Sequence, residues 1–354
     1  MNSEFWRGRR VFITGHTGFK GGWLSLWLQQ LGANLTGYAL PPKKNPNLFD
    51  LARVADGMHS VIGDVRNLDR LKSTLFKAQP EVVFHLAAQP LVRQGYEDPV
   101  NTYSTNVMGT VHLLEAFREC DTVKSVINVT TDTVYESREL VNGYQEHDRL
   151  GGYDPYSSSK ACSEFVTTAF RSSYFNPTLH EKHGVGVATA RAGNVIGGGD
   201  WSKERLVPDA INSFQTGTIL QLRFPNAVRP WQHVLDPLSG YLLLAEKLYD
   251  SGPEFSESWN FGPIEATSQS VEWVVNQIAS LWGVTGAYSI KSERNLLETT
   301  ILKLDASKAM KLLNWTPRLN LRNALELTLS WERKRLNGDD PKGLIEEQIQ
   351  KYCS

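Results

Sequence analysis

Along the first half of the chain, short apolar runs rich in β-branched residues alternate with stretches whose apolar residues recur at helical spacing. Residues 10–14, 34–40, 60–65, 81–85, 125–129 and 185–191 read as strands, and 22–31, 68–78, 106–120 and 156–171 as helices. Strands alternating with helices predict an α/β fold with a doubly wound parallel sheet. Residues 96–100 read as a loop. The second half is less regular. It predicts a helix opened by Arg205 and Val207-Pro208-Asp209, a strand at 219–224, a loop at 259–263, and helices at 237–249, 270–282, 306–313 and 321–336. No Pro- or Gly-rich linker separates the halves, so a second domain is expected to interleave with the first.

Composition narrows the class. With 354 residues, one large or two modest domains are expected, and 41% hydrophobic residues suffice for a sizeable core. A formal charge of −1 without long single-sign runs points to neither nucleic acid nor an anionic membrane as partner. Cys120, Cys162 and Cys353 are scattered, give no disulfide framework or metal-ligand spacing, and suit a reducing cytosol. The first ten residues carry Trp6 and arginines but no apolar run, so no signal peptide is expected. No apolar stretch is long enough for a membrane span, and a cytoplasmic protein is expected.

Candidate chemistry sits at the predicted strand ends. After the first strand comes Gly15-His16-Thr17-Gly18-Phe19-Lys20-Gly21. A Gly-rich turn between strand and helix lets backbone N–H groups approach a dinucleotide pyrophosphate. The second strand ends in Tyr38-Ala39-Leu40 without the carboxylate that commonly grips a ribose. Lys43 and Lys44 follow and suit either a 2′-phosphate or solvent, which leaves NAD against NADP open. Asp64, before Val65, is a candidate adenine contact, and Leu86-Ala87-Ala88 lets the backbone lie close to the dinucleotide. The fifth strand ends in Thr131-Asp132-Thr133. Tyr156 and Lys160 lie four apart on one predicted helix face, where an ammonium lowers a phenol pKa and makes the Tyr a general acid or base. Ala192-Gly193-Asn194 opens a Gly run at a strand end, which suggests a loop that meets a ligand or bends sharply. Arg229-Pro230-Trp231-Gln232-His233-Val234 sets an Arg beside an aromatic, which suits either a nucleotide diphosphate and base or a core Trp with a surface cation.

In this order the motifs resemble the extended short-chain dehydrogenase/reductase family, over residues from about 5 to about 331, and within it the CDP-D-glucose 4,6-dehydratases. The stretches Gln89-Pro90-Leu91-Val92-Arg93, Tyr103-Ser104-Thr105-Asn106 and 191–201 carry that likeness together with those above. The resemblance implies a Rossmann-like NAD-binding domain over 1–190, with about 230–255 returning to it, and a smaller nucleotide-sugar domain over 191–354. It implies a homodimer or dimer of dimers built on the Tyr156 helix, and a place in deoxysugar biosynthesis such as that of lipopolysaccharide O-antigen. It assigns catalysis to Thr131, Asp132, Tyr156 and Lys160. NAD falls to residues 15–21, Asp64, Val65, Leu86, Ala87, Ala88, Thr105, Tyr156 and Lys160. The sugar nucleotide falls to Gln89, Arg93, Asn194, Arg205, Arg229, Trp231, Asn260 and Glu298. The implied reaction oxidises C4, eliminates water across C5 and C6, and returns hydride to C6.

One position departs from the pattern. Where such dehydratases carry Lys or Glu after the Asp, this chain has Thr133, whose hydroxyl is no base at neutral pH. Glu136, Glu139 or Tyr156 itself are the expected substitutes. A 4-epimerase without elimination and a non-catalytic nucleotide-sugar-binding protein remain the alternative readings.

Overall fold

The computed structural model describes residues 2–42, 45–138, 140, 142–264, 268–286, 288–291 and 300–354. Its centre is a parallel sheet of strands β1 (Arg10–Thr14), β2 (Asn34–Ala39), β3 (His59–Ile62), β4 (Val82–His85), β5 (Ser125–Val129), β6 (Gly186–Ala192) and β7 (Ser258–Phe261). Their order is β7-β6-β5-β4-β1-β2-β3. The chain starts in the middle and winds outwards both ways, which opens a crevice between the ends of β1 and β4.

Continuous apolar strands need cover on both faces. On one face α1 (Phe19–Gln30) buries Trp23, Leu24 and Trp27 with Leu238, Leu242 and Leu248 of a later helix. On the other, α2 (Leu68–Ala78) and α3 (Gly109–Arg118) bury Leu71, Leu75, Leu113 and Phe117 against Phe12, Val83 and Val126. The catalytic candidates ride on α4 (Pro155–Ser173), whose buried positions are mostly small and polar. Asp154 caps α4, accepting from the Ser157 N–H at 3.0 Å. The returning helix is α5 (Leu235–Phe255), kinked at Ser251. A further apolar cluster lies beyond the sheet, with Val207, Phe214, Leu220, Trp231, Val274, Ile278 and Leu325.

The sheet and its helices follow the apolar pattern closely, with three corrections. Residues 96–100 are not a loop: Val92–Glu97 and Pro99–Tyr103 are short helices, the second capped by Asp98 and started by Pro99. They lead into a π-helical segment, Ser104–Met108, before α3. The expected loop at 259–263 begins as β7, whose Trp259 and Phe261 are fully buried beside β6. A C-terminal helix, Pro341–Cys353, went unread and packs Ile345, Ile349 and Tyr352 onto the α1 side. No described helix is long and apolar enough to cross a membrane.

Candidate active site

The Gly-rich turn closes the β1 end of the crevice. Gly15 has φ +81°, and a Cβ on it would lie 2.7 Å from the Ala87 nitrogen. A Cβ on Gly21 would lie 2.1 Å from the Gly15 oxygen, so the turn and α1 meet backbone to backbone. Gly18 is different. It precedes α1 without any side-chain cap, and a Cβ there would meet only the Gly15 oxygen, at 3.4 Å. The first N–H groups of α1 thus have no side-chain cap, and the positive end of the helix dipole lies there. These residues fit the pyrophosphate of a dinucleotide.

Around the turn, the Thr17 hydroxyl donates to the Leu40 carbonyl at 2.8 Å, and His16 Nε2 lies 2.7 Å from Ser60 Oγ. Burial lowers His16 to about 4, so its ring is neutral. No carboxylate stands at the end of β2; the Tyr38 hydroxyl donates there to the Asp64 carbonyl at 3.0 Å. The Asp64 carboxylate is engaged by Arg66 at 2.5 Å, which holds it below the usual carboxylate range. Val65 is a core residue, while Leu86, Ala87, Ala88 and Thr105 stay half-buried at the crevice. Lys43 and Lys44 lie outside the described residues.

Thr131, Asp132 and Tyr156 are brought together. Thr131 Oγ1 donates to Asp132 Oδ1 at 3.0 Å and is hydrogen-bonded to the Tyr156 hydroxyl. Thr133 Oγ1 lies 3.5 Å from Thr131 Oγ1. Asp132 is 3% exposed, and its Oδ2 has no partner. That oxygen sits where a Cβ on Gly193 would be 2.6 Å away, so glycine leaves it room. Burial raises Asp132 to about 6, against the pull of Thr131, Arg229 and Lys20. The Tyr241 hydroxyl, buried and unpartnered on α5, feels the charges of Asp132 and Tyr156.

The Tyr156–Lys160 pairing needs correction. Burial raises Tyr156 above its usual value, even with the Thr131 bond and Arg205 opposing. Lys160 Nζ donates instead to the Val129 carbonyl at 2.8 Å, and burial with nearby Lys20 lowers it to about 7. One turn further along α4, Glu164 is fully buried and takes a bidentate grip from Arg191, at 2.9 and 2.8 Å. Thr130 and Thr189 hydroxyls donate to the same carboxylate. Its four-residue step from Lys160 was a readable signal, but nothing in the sequence showed that the pair would be dry.

Lys20 joins the cluster through its side chain. Burial and Arg205 lower it to about 8, while Asp132 pulls the other way. Arg205 Nη1 holds Asp200 at 2.8 Å, and Arg93 Nη1 holds Glu204 at 3.1 Å. Arg229 is buried near Asp132, and Trp231 is buried with an unpartnered Nε1. Asn194 is half-buried on the loop after β6.

Two expected substrate contacts turn out to be internal struts. The Gln89 side chain spans Leu91 and Thr102, and its backbone is clasped by Asn106. Asn260 is fully buried and bonded to Tyr135, Tyr144 and Asp305. Glu136 is paired with Arg138 and Arg149, which holds its carboxyl low and makes it a poor base. Glu139 and Glu298 lie outside the described residues.

The GDP-mannose 4,6-dehydratase family matches residues 12–328. The chain belongs to that family. A CDP-glucose 4,6-dehydratase of Salmonella typhimurium is 49% identical over 354 residues, 100% of this chain and 99% of its own length. Among solved structures, a dTDP-glucose 4,6-dehydratase of Bacillus anthracis in complex with NAD superposes with a TM-score of 0.79 at 24% identity, covering 95% of this chain and 100% of that one. A UDP-glucose 4-epimerase of Thermotoga maritima with UDP-glucose gives 0.80 at 22%, covering 92% and 99%. These two show the shared fold, in which the β1–β4 crevice and the end of β5 meet.

Proposed function

We infer that this chain is an NAD-dependent nucleotide-sugar 4,6-dehydratase acting on CDP-D-glucose. The observation that carries the reading is Asp132: a buried carboxyl, held protonatable near neutrality, with one oxygen free beside Tyr156 and Thr131. A 4-epimerase has no leaving group to protonate and no use for it. The full-length likeness to a CDP-glucose enzyme supports the choice of sugar nucleotide.

NAD, when bound, supplies the acceptor and donor of hydride. The first turn of α1 and Gly18 would hold its pyrophosphate, with residues 86–88 and Thr105 alongside. Tyr156 takes the proton of the sugar 4-hydroxyl, and Thr131 meets the same oxygen. The 4-ketone acidifies the hydrogen on C5, and Asp132 protonates the departing 6-hydroxyl. Arg93, Arg205 and Arg229 serve the diphosphate, with Trp231 and Asn194 beside the nucleoside and sugar. With Glu136 paired off, we assign the C5 proton to Lys20. Its lowered value makes a neutral amine accessible, and no hydrogen bond commits it among the described residues.

The test is incubation with CDP-glucose in deuterated water. A 4-keto-6-deoxy product carrying deuterium at C5 supports the reading. Inversion at C4 without loss of water favours the epimerase, and no turnover favours a binding protein. Lys20→Met is expected to oxidise C4 yet lose C5 exchange, with Thr133→Lys restoring it.

Assembly as a homodimer or dimer of dimers is part of the proposal. Val100, Met108 and Phe165 are exposed on the helices beside and within α4, at 78%, 44% and 58%. A cytosolic location fits the free cysteines.

A further inference from the structure

Elimination asks more of Asp132 than acidity. The C6–O bond breaks and the oxygen leaves as water, taking the proton that Asp132 gives up. The acid must therefore be aimed at one atom and kept from bulk water. Thr131 fixes one end of the carboxyl, donating to Oδ1 at 3.0 Å. Oδ2 is buried and has no hydrogen-bond partner, so its direction is set by contact alone.

That contact is Gly193, with Pro230 behind it. A Cβ on Gly193 would lie 2.6 Å from Asp132 Oδ2 and 2.4 Å from Pro230 Cγ, so the carboxyl and the ring both close on the bare Cα. Gly193 does not have the left-handed φ that usually calls for glycine. Its missing side chain serves the contact, not the backbone.

The parts of this seat are held from several sides, and Asp132, Gly193 and Pro230 are all buried. Val195–Ile196 and Gln232–His233 pair in parallel, and the Gln232 N–H donates to the Asn194 carbonyl at 3.0 Å. The chain after Gly193 is thereby tied to the chain after Pro230. The Gln232 side chain donates to the Phe261 carbonyl at 2.8 Å, and Phe261 lies beside Ala192 in the sheet. On the Asp132 side, the Thr130 N–H donates to the Ala190 carbonyl at 2.9 Å. An added methyl would thus meet a ring and a carboxyl on fixed backbone, and the carboxyl is the part free to turn.

We propose that Gly193 and Pro230 are positioning residues that seat the Asp132 carboxyl for the loss of water, so that elimination depends on them and oxidation at C4 does not. This rests on the dehydratase reading above. Oxidation uses Tyr156 and Thr131 at O4 and asks nothing of Asp132 Oδ2. A methyl at position 193 displaces Oδ2, and a misplacement of about 1 Å in a reacting group can slow its step about 10²-fold.

The test is single turnovers of the NAD-loaded enzyme with CDP-glucose. Reduced-nicotinamide absorbance rises on C4 oxidation and decays when elimination is complete and C6 is reduced. In Gly193→Ala the rise is expected to stay within about twofold of the wild type, and the decay to slow about 10²-fold. Gly193→Ala combined with Pro230→Ala removes the ring contact and keeps the carboxyl contact. It should show the same split, and it serves where the single variant does not fold. In an Asp132→Asn background, which has no acid to seat, adding Gly193→Ala should change the decay by less than about twofold. Rise and decay slowed by the same factor overturn the proposal, as does an unchanged decay. So does a loss in the Asp132→Asn background as large as in the wild type. A wild type that forms no 4-keto-6-deoxy product removes the dehydratase reading itself, and the seat's role with it.

Discussion

Lys160 Nζ donates to the carbonyl of Val129, 2.8 Å away at the end of β5, and not to the phenol of Tyr156. The amine is thus anchored to the strand that carries Thr131 and Asp132. With burial lowering it to about 7, its charge is lost as pH rises through neutrality. The kcat/KM profile, which reports the free enzyme, is expected to fall above about pH 7. Lys160→Arg keeps the charge at all such pH values and should move that limb upward. Lys160→Met should lower kcat by about 10²–10⁴-fold.

Two glycines of one turn predict opposite outcomes. Gly21→Ala puts a Cβ 2.1 Å from the Gly15 oxygen, so the turn and α1 must separate. Loss of soluble folded protein or a large drop in Tm is expected. Gly18→Ala meets no such obstacle, with φ −85° and its nearest contact at 3.4 Å. It should fold normally but place a methyl where the pyrophosphate approaches. Calorimetric titration should then show NAD binding weakened by about tenfold or more, with Tm unchanged.

The Glu164–Arg191 pair lies behind the reacting groups, with side-chain exposures of 0% and 3%. Removing one charge leaves the other buried and uncompensated. Glu164→Gln is expected to cost about 3–5 kcal/mol in urea unfolding. The pair contributes position rather than chemistry, so the activity of whatever fraction stays folded should fall far less than in Tyr156→Phe.

Asp236 predicts a pH effect on stability away from the reaction. It is fully buried at the start of α5, and its Oδ1 accepts from Tyr352 and from the Arg318 N–H at 2.8 Å each. Its Oδ2 has no partner, and burial raises the group from 3.8 to about 6. A raised folded pKa means that the neutral acid stabilises the fold. The contribution is complete below about pH 4 and lost as pH rises to about 6. The shift corresponds to on the order of 3 kcal/mol. Asp132 titrates in the same window, so the informative measurement is the difference in unfolding free energy between wild type and Asp236→Asn. That difference should change across this range and be level above it.

Much of the sheet was legible because parallel strands are apolar on both faces and so stand out as runs. β1 and β5 fell where the pattern put them, and so did α2. β7 was missed because Trp259-Asn260-Phe261 is short and ends in Gly-Pro, a loop signature; only pairing with β6 makes it a strand. Thr131 and Asp132 stand out by their strand-end position and Tyr156 by its helical spacing from Lys160, and the three do meet. What spacing does not reveal is dryness. Desolvation dominates the behaviour of Tyr156, Lys160, Asp132 and Lys20, and it depends on chain packed from far away, such as Gly193 against Asp132, while Arg205 adds its charge to Tyr156 and Lys20. For the same reason Gln89 and Asn260 were read as ligands although the fold consumes their amides.

β7 also bears on how the chain is made. Until Ser258–Phe261 emerges and pairs, β6 is the outermost strand on its side, with all of Gly186–Ala192 destined for burial and one row of N–H and C=O groups unmatched. Such a flat, apolar border invites pairing with another copy. A chain halted or cleaved between α5 and β7 would therefore be prone to stick to its own kind, and truncations meant to isolate the first lobe should keep β7 to remain soluble.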